Sequence, residues 1–187
     1  MSQNKKILVI GDSISAAYGI AIEDGWVQLI QQTINQHSLA FSLINQSING
    51  ETSYGGLARI SPSLLQHHPA LVILELGAND GLNGTPPEVI KDNLRELIAR
   101  SQKAGAKVLL LAIHTSSSYG GAYHDEFYRN YVALAEEMKC AWVPNLLQEI
   151  SKSGNMLQDD GLHPTANAQP TIAKKIWPYL LTIIKAI

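Results

Sequence analysis

Three polar segments of this chain carry residue types that can work together on a carbonyl group. Ser13 follows four consecutive aliphatic residues, Ile7 to Ile10, and is preceded by Gly11 and Asp12. A serine hydroxyl is a weak nucleophile and needs a base within hydrogen-bond reach, itself oriented by a third group. Asp160-Gly161-Leu162-His163 supplies both partners on one short loop. Gly161 permits a tight turn, so the carboxylate can hold one ring nitrogen while the other faces Ser13. In that role Asp160 fixes the tautomer and steadies the imidazolium without taking the proton. Acyl transfer also needs donors aimed at a developing oxyanion, each worth roughly 3 kcal/mol in known sites. The candidates are the amide N–H groups of Ser13 and Gly50 and the side-chain amide of Asn79, on a loop braced by Gly77 and Gly81.

Each segment also has a plainer reading. Gly, Asn, Asp and Ser are the usual turn formers, and Asp-Gly-Leu-His-Pro is equally a turn before a proline-started helix, with His163 as its cap. Placement separates the two readings, and placement depends on the elements between the segments.

Those elements alternate. Ile7–Ile10 reads as a strand buried on both faces, with Gly11 letting the chain turn sharply at its end. Trp26, Leu29, Ile30 and Ile34 then recur at helical spacing after a cap at Asp24. Phe41–Asn45 is a second strand, and Thr52 caps a helix that Pro62 is expected to kink or break. Leu71–Leu76 is the strongest strand. Pro86 and Pro87 open the next helix, and Gly105 stops it. Val108–Ile113 is the fourth strand; a helix from about Asp125 to Met138 leads to a fifth, Ala141–Val143. Leu146–Ser151 reads as a short helix, and the last helix is expected to be interrupted near Pro170 and Pro178. Strands alternating with helices five times specify parallel crossovers and a three-layer α/β/α sandwich. With the flavodoxin-like order 2-1-3-4-5, strands one and three meet where the winding reverses. Ser13, Gly50, Asn79, Asp160 and His163 then share one rim of the sheet.

Bulk composition bounds the function. A chain of 187 residues fits one domain, 1–187, burying roughly 70% of its unfolded surface. A net charge of −2 leaves no electrostatic footprint for nucleic acid. No apolar run approaches the ~20 residues of a membrane span, so no stable membrane insertion is expected. The single Cys140 excludes an internal disulfide and a multi-cysteine zinc site, and reads as a small buried hydrophobe. Met1–Lys6 leads straight into the first strand without a signal peptide.

Four blocks now stand in register: Gly11-Asp12-Ser13-Ile14-Ser15, Gly50 within Ile48–Thr52, Gly77-Ala78-Asn79-Asp80, and Asp160-Gly-Leu-His163-Pro164. In this the sequence resembles the SGNH hydrolases, also called GDSL esterases and lipases. The longer matches Leu74–Leu82 and Gln158–Pro164 resemble the bacterial branch of multifunctional thioesterases, arylesterases and lysophospholipases. The resemblance implies Ser13 as nucleophile, Asp160 and His163 as its partners, and Ser13, Gly50 and Asn79 as the oxyanion hole. One departure, Ile14 where the family name has leucine, touches nothing catalytic. The expected activity is a serine esterase cleaving aryl and short- to medium-chain acyl esters, and acyl thioesters or lysophospholipids, through an acyl-enzyme. It requires no cofactor. The resemblance also implies a periplasmic or secreted enzyme if a leader was removed; the chain as it stands leaves a cytoplasmic location open. A carbohydrate O-acetylesterase of the same superfamily is the alternative within enzymes. Outside them stands a flavodoxin-like phosphate- or nucleotide-binding module, against which Gly-Asp-Ser matches neither dinucleotide nor phosphate-loop patterns.

Ala78, His114 and Tyr119 are candidates for lining the substrate pocket, the last two on the loop after the fourth strand. Asp159 competes with Asp160 for the acid role, and the three-residue spacing to His163 favours Asp160. Asp12 and Asp80 are better read as loop-bracing acceptors than as a divalent-metal site. His67 and His68 suit the dipole of a helix end, and His37 is similar.

Overall fold

A computed structural model describes residues 4–113, 120–153 and 155–187. Five parallel strands form one sheet in the order β2-β1-β3-β4-β5. They are β1 (Lys5–Gly11), β2 (Phe41–Asn45), β3 (Leu71–Glu75), β4 (Lys107–Leu111) and β5 (Ala141–Val143). The helices are α1 (Trp26–Gln36), α2 (Ser53–His67), α3 (Ala78–Leu82), α4 (Pro87–Lys103), α5 (Gly121–Glu137) and α6 (Gln169–Ala186).

The period-two alternation of strand side chains splits each aliphatic run between two cores. Ile7, Val9, Leu71, Ile73, Leu109 and Leu111 pack with α1 and α6 on one face. Leu8, Ile10, Val72, Leu74, Val108 and Leu110 pack with α2, α4 and α5 on the other. Burial on both faces explains why these strands are continuously apolar. It also makes the register stiff, because each buried aliphatic side chain is worth roughly 1.5–3 kcal/mol. The register sets Gly11 of β1 beside Glu75 of β3. Their carboxyl ends therefore open at the point where the winding reverses, where open α/β sheets bind ligands.

Several local expectations are corrected. The N-cap of α1 is Gly25, without a side-chain cap, so Asp24 does not serve; it closes a 3₁₀ turn, Ile22–Asp24. Thr52 does cap α2, accepting from the Gly55 amide at 3.2 Å. Pro62 does not end that helix, which runs unbroken to His67. Loss of one backbone bond there costs about 3 kcal/mol, and burial of Ile60 and Leu64 on either side offsets it. Pro170 and Pro178 likewise leave α6 continuous: the first sits in its opening turn, and Ile172, Ile176, Leu180 and Ile184 carry the buried stripe past the second. Leu146–Ser151 forms hydrogen-bonded turns instead of a helix, with Gln148 bonded to Asn145 and Ile150 to Leu147. The helix expected from Asp125 begins four residues earlier, at Gly121. Cys140 is half-buried just before β5, where desolvation pushes its thiol up to about 11. Among the described residues no helix is long and apolar enough to cross a membrane.

Candidate active site

Ser13 lies on a tight turn at the end of β1, 8% exposed. The turn is closed by backbone bonds from Ala16 to Asp12 (2.9 Å) and from Tyr18 to Ser13 (3.1 Å). Asp12 braces it from within, its Oδ1 accepting from the Ile14 amide at 2.9 Å. Gly11 serves this turn differently from expectation. Its own backbone does not adopt positive φ; instead, a Cβ there would lie 2.7 Å from Ser15 Oγ and 2.9 Å from Glu75 Oε2. Close approach of a neighbouring side chain, not backbone reversal, is what requires glycine.

His163 reaches the same point from the far end of the chain. Its Nε2 is 2.9 Å from Ser13 Oγ, and its Nδ1 is 2.6 Å from Asp160 Oδ2. The other carboxylate oxygen, Oδ1, accepts from the backbone amides of Leu162 (2.9 Å) and His163 (3.0 Å). Gly161 makes this wrap possible with φ +68°. The backbone N–H of His163, then its ring, hold the Asp160 carboxyl down to about 2, so it is ionised throughout the neutral range. A carboxylate at Nδ1 leaves Nε2 as the acceptor toward the Ser13 hydroxyl. Of the two competing aspartates, Asp160 is therefore the one in contact.

Asn79 is not on a loop. It occupies the first turn of α3, a five-residue helix that starts after Gly77. Its Nδ2 donates to the Glu51 carbonyl at 2.9 Å and, less closely, to Asp12 Oδ2 at 3.2 Å. Gly50 precedes Glu51 in a turn closed by the Glu51 N–H to Ile48 carbonyl bond (3.1 Å), while the Ile48 N–H ties the turn to the Gly11 carbonyl (3.0 Å). A Cβ on Gly50 would meet nothing, but its φ is +76°. Within the protein itself, the left-handed conformation is what requires glycine at position 50. Arg59 pins the turn through Glu51 at 2.6 Å.

A cleft of about 310 Å³ opens beside Ser13, Asn79 and His163. Its walls are largely aliphatic: Ile14, Leu82, Ile113, Leu147, Leu157 and Leu162. Ala78 also lines it. His114 and Tyr119 lie outside the described residues. Asp12 and Asp80 do not converge on one another's ligands: Asp80 accepts from the amide (2.7 Å) and hydroxyl (2.6 Å) of Ser53, anchoring α3 to α2. His67 Nε2 sits 2.8 Å from Gln46, and His37 Nδ1 2.8 Å from the Thr33 carbonyl, both away from the cleft.

Sequence reasoning passed over three contributors. Glu75 is the lone carboxylate in an aliphatic strand and is wholly buried; that isolation was the available signal, since such groups are almost never buried unpaired. Gln158 donates to the carbonyls of Tyr18 (2.8 Å) and Pro164 (3.0 Å), clamping the Ser13 turn to the His163 loop. The Tyr18 ring lies against the imidazole, centroids 4.4 Å apart. Neither of these contacts has a local sequence signature.

The class that such a fold and site define is borne out by comparison. Residues 9–169 match the GDSL-like lipase/acylhydrolase family, and the chain belongs to that family. It is 42% identical to the esterase TesA of Pseudomonas aeruginosa over 178 residues, covering 95% of this chain and 89% of the relative. It is 37% identical to thioesterase 1/protease 1/lysophospholipase L1 of Escherichia coli K12 over 167 residues, 89% of this chain and 79% of that one. Among solved structures, the psychrotrophic esterase EstA of a Pseudoalteromonas species, inhibited by monoethylphosphonate, superposes with a TM-score of 0.92 at 36% identity, covering 97% of this chain and 99% of that chain.

Proposed function

We propose that Ser13, His163 and Asp160 form the catalytic triad of a serine esterase acting on aryl and short- to medium-chain acyl esters and on acyl thioesters. The protein is an enzyme, a hydrolase of ester bonds. The observation that carries the role assignment is the unbroken relay from Ser13 Oγ through both imidazole nitrogens to Asp160, at 2.9 and 2.6 Å.

The steps follow from that relay. Ser13 Oγ attacks the acyl carbonyl carbon as Nε2 takes its proton, and the carbonyl electron pair moves onto oxygen. The backbone N–H groups of Ser13 and Gly50 and one N–H of Asn79 receive the oxyanion; Asn79 gives up its longer bond to Asp12 and keeps the one to Glu51. Collapse expels the alcohol or thiol with the proton held on Nε2. Water, deprotonated by the same nitrogen, then attacks the acyl-enzyme; the second tetrahedral species releases the acid and restores Ser13. Asp160 stays ionised and holds the imidazolium in register.

The aliphatic cleft receives the acyl chain. Its volume lies at the small end of ligand sites, which run roughly 300–1,000 Å³, in keeping with short and medium chains. Aliphatic walls also favour an acyl group over a sugar. A panel of p-nitrophenyl esters and acyl thioesters of graded length tests the reading. Turnover should peak at short or medium chains and vanish in Ser13→Ala; full turnover by that variant would sink it.

A further inference from the structure

Beneath the nucleophile turn lies a polar pair that the acyl-transfer steps do not use. Glu75, at the end of β3, is fully buried. Its Oε2 accepts the Ser15 hydroxyl proton at 2.7 Å and the Asp12 N–H at 3.3 Å. Its Oε1 is buried with no hydrogen-bond partner among the described residues. The Asp12 carboxyl is also buried, on the residue whose N–H bonds Glu75 Oε2, and its charge acts on Glu75. Among the described residues no lysine or arginine forms an ion pair with either carboxyl.

Two carboxylates side by side in a dry site cannot both ionise at ordinary cost. Two negative charges there would also oppose the oxyanion forming a few ångströms away. One proton on the pair removes the repulsion and supplies a donor where Oε1 otherwise has no partner.

We propose that Glu75 is a positioning residue of this active site: a neutral carboxylic acid that shares its proton with Asp12, and so sets the Ser13 turn from below and the Asn79 amide from the side. The linkage is direct. Ser15 and the Asp12 amide hang on Oε2, and Asp12 in turn holds the Ile14 amide and Asn79 Nδ2. One shared proton leaves the pair with a single charge, and the Asn79 bond to Asp12, at 3.2 Å, is the longer of that amide's two. The amide is thus aligned before substrate arrives, yet free to turn one N–H to the oxyanion. Gly11 leaves the space that the Ser15 side chain and Glu75 Oε2 occupy. Burial, followed by the charge of Asp12, drives Glu75 well above the usual carboxylate range, and burial pushes Asp12 up to about 6. The other ionisable groups facing the pair are Asp80 on α3, Tyr131 on α5 and His163; Asp80 adds to the repulsion at Asp12, and His163 opposes it.

The proposal rests on Ser13 being the nucleophile, and its test separates the two. Infrared spectra of the whole enzyme at neutral pH should show a protonated-carboxyl C=O stretch that disappears in Glu75→Gln. That variant keeps an uncharged acceptor and donor, and should retain kcat within about threefold. Glu75→Leu should lower kcat by about 10²-fold with KM unchanged, the scale of a ~1 Å misplacement of reacting groups. Should the leucine variant fail to fold, Ser15→Ala, which removes the 2.7 Å bond alone, should still lower kcat about tenfold. Absence of the infrared band, or equal damage from glutamine and leucine, would overturn the proposal. Turnover by Ser13→Ala would instead remove the nucleophile assignment and leave the band untouched.

Discussion

Asp160→Asn is the sharpest single perturbation of the relay. The carboxylate makes three contacts: Oδ1 accepts two backbone amides at 2.9 and 3.0 Å, and Oδ2 meets His163 Nδ1 at 2.6 Å. Asparagine is the same shape. Its carbonyl oxygen keeps both backbone bonds, so the loop keeps its geometry and the melting temperature changes little. Its amide nitrogen must then face Nδ1, where it can only donate. The ring proton moves to Nε2, which sits 2.9 Å from Ser13 Oγ and no longer accepts from it. In a serine protease with this arrangement the same change costs about 10⁴-fold in kcat. Here the Asp160 side chain is 42% exposed, so water screens it and can partly replace it. We therefore expect a loss of about 10²- to 10³-fold in kcat, with KM nearly unchanged. Steady-state kinetics on a p-nitrophenyl ester, beside a thermal melt, measures both. A loss below about tenfold with the fold intact would refute the tautomer reasoning.

Other expectations follow from the same geometry. Gln158→Leu removes both clamp bonds between the Ser13 turn and the His163 loop, and should cut kcat about tenfold for a stability change of roughly 1–3 kcal/mol; unchanged kcat in a folded variant would show that the clamp is idle. Gly77→Ala places a Cβ 2.2 Å from the Tyr131 hydroxyl at a φ of +121°, so urea denaturation should show a loss of roughly 2–4 kcal/mol; a loss below ~1 kcal/mol would contradict it. A carboxyl raised on folding keeps its proton after the unfolded chain has lost it, so it subtracts stability as pH rises past its unfolded value. Glu75→Gln should therefore gain on the wild type between pH 5 and 8, by up to ~1.4 kcal/mol per pH unit; a difference that stays constant with pH would mean that Glu75 ionises normally.

Aliphatic runs and turn residues made the sheet legible, because a strand buried on both faces has little choice of residue. Ser13, Asn79, Asp160 and His163 were visible as polar residues at strand ends and on one short loop, and the fold brings them together. Helix continuity through Pro62 and Pro178 was not visible, since the apolar stripe that overrides a proline is a tertiary effect. Nor was the reason for Gly11: the same glycine can supply room or a left-handed φ, and only neighbouring atoms decide which. Gln158 and Tyr18 act across 140 residues of chain, a separation at which no local pattern reports contact. Glu75 broke its strand's pattern, yet its partners lie on another strand's turn.

Every proposed step starts from the Ser13 hydroxyl acting as the activated nucleophile. Labelling the intact enzyme with a fluorophosphonate probe, followed by mass mapping of the modified peptide, tests it most directly. The relay predicts one adduct per chain on Ser13, formed far more slowly in His163→Ala and not at all in Ser13→Ala. Labelling elsewhere, or an active enzyme whose Ser13 stays unmodified, would contradict it.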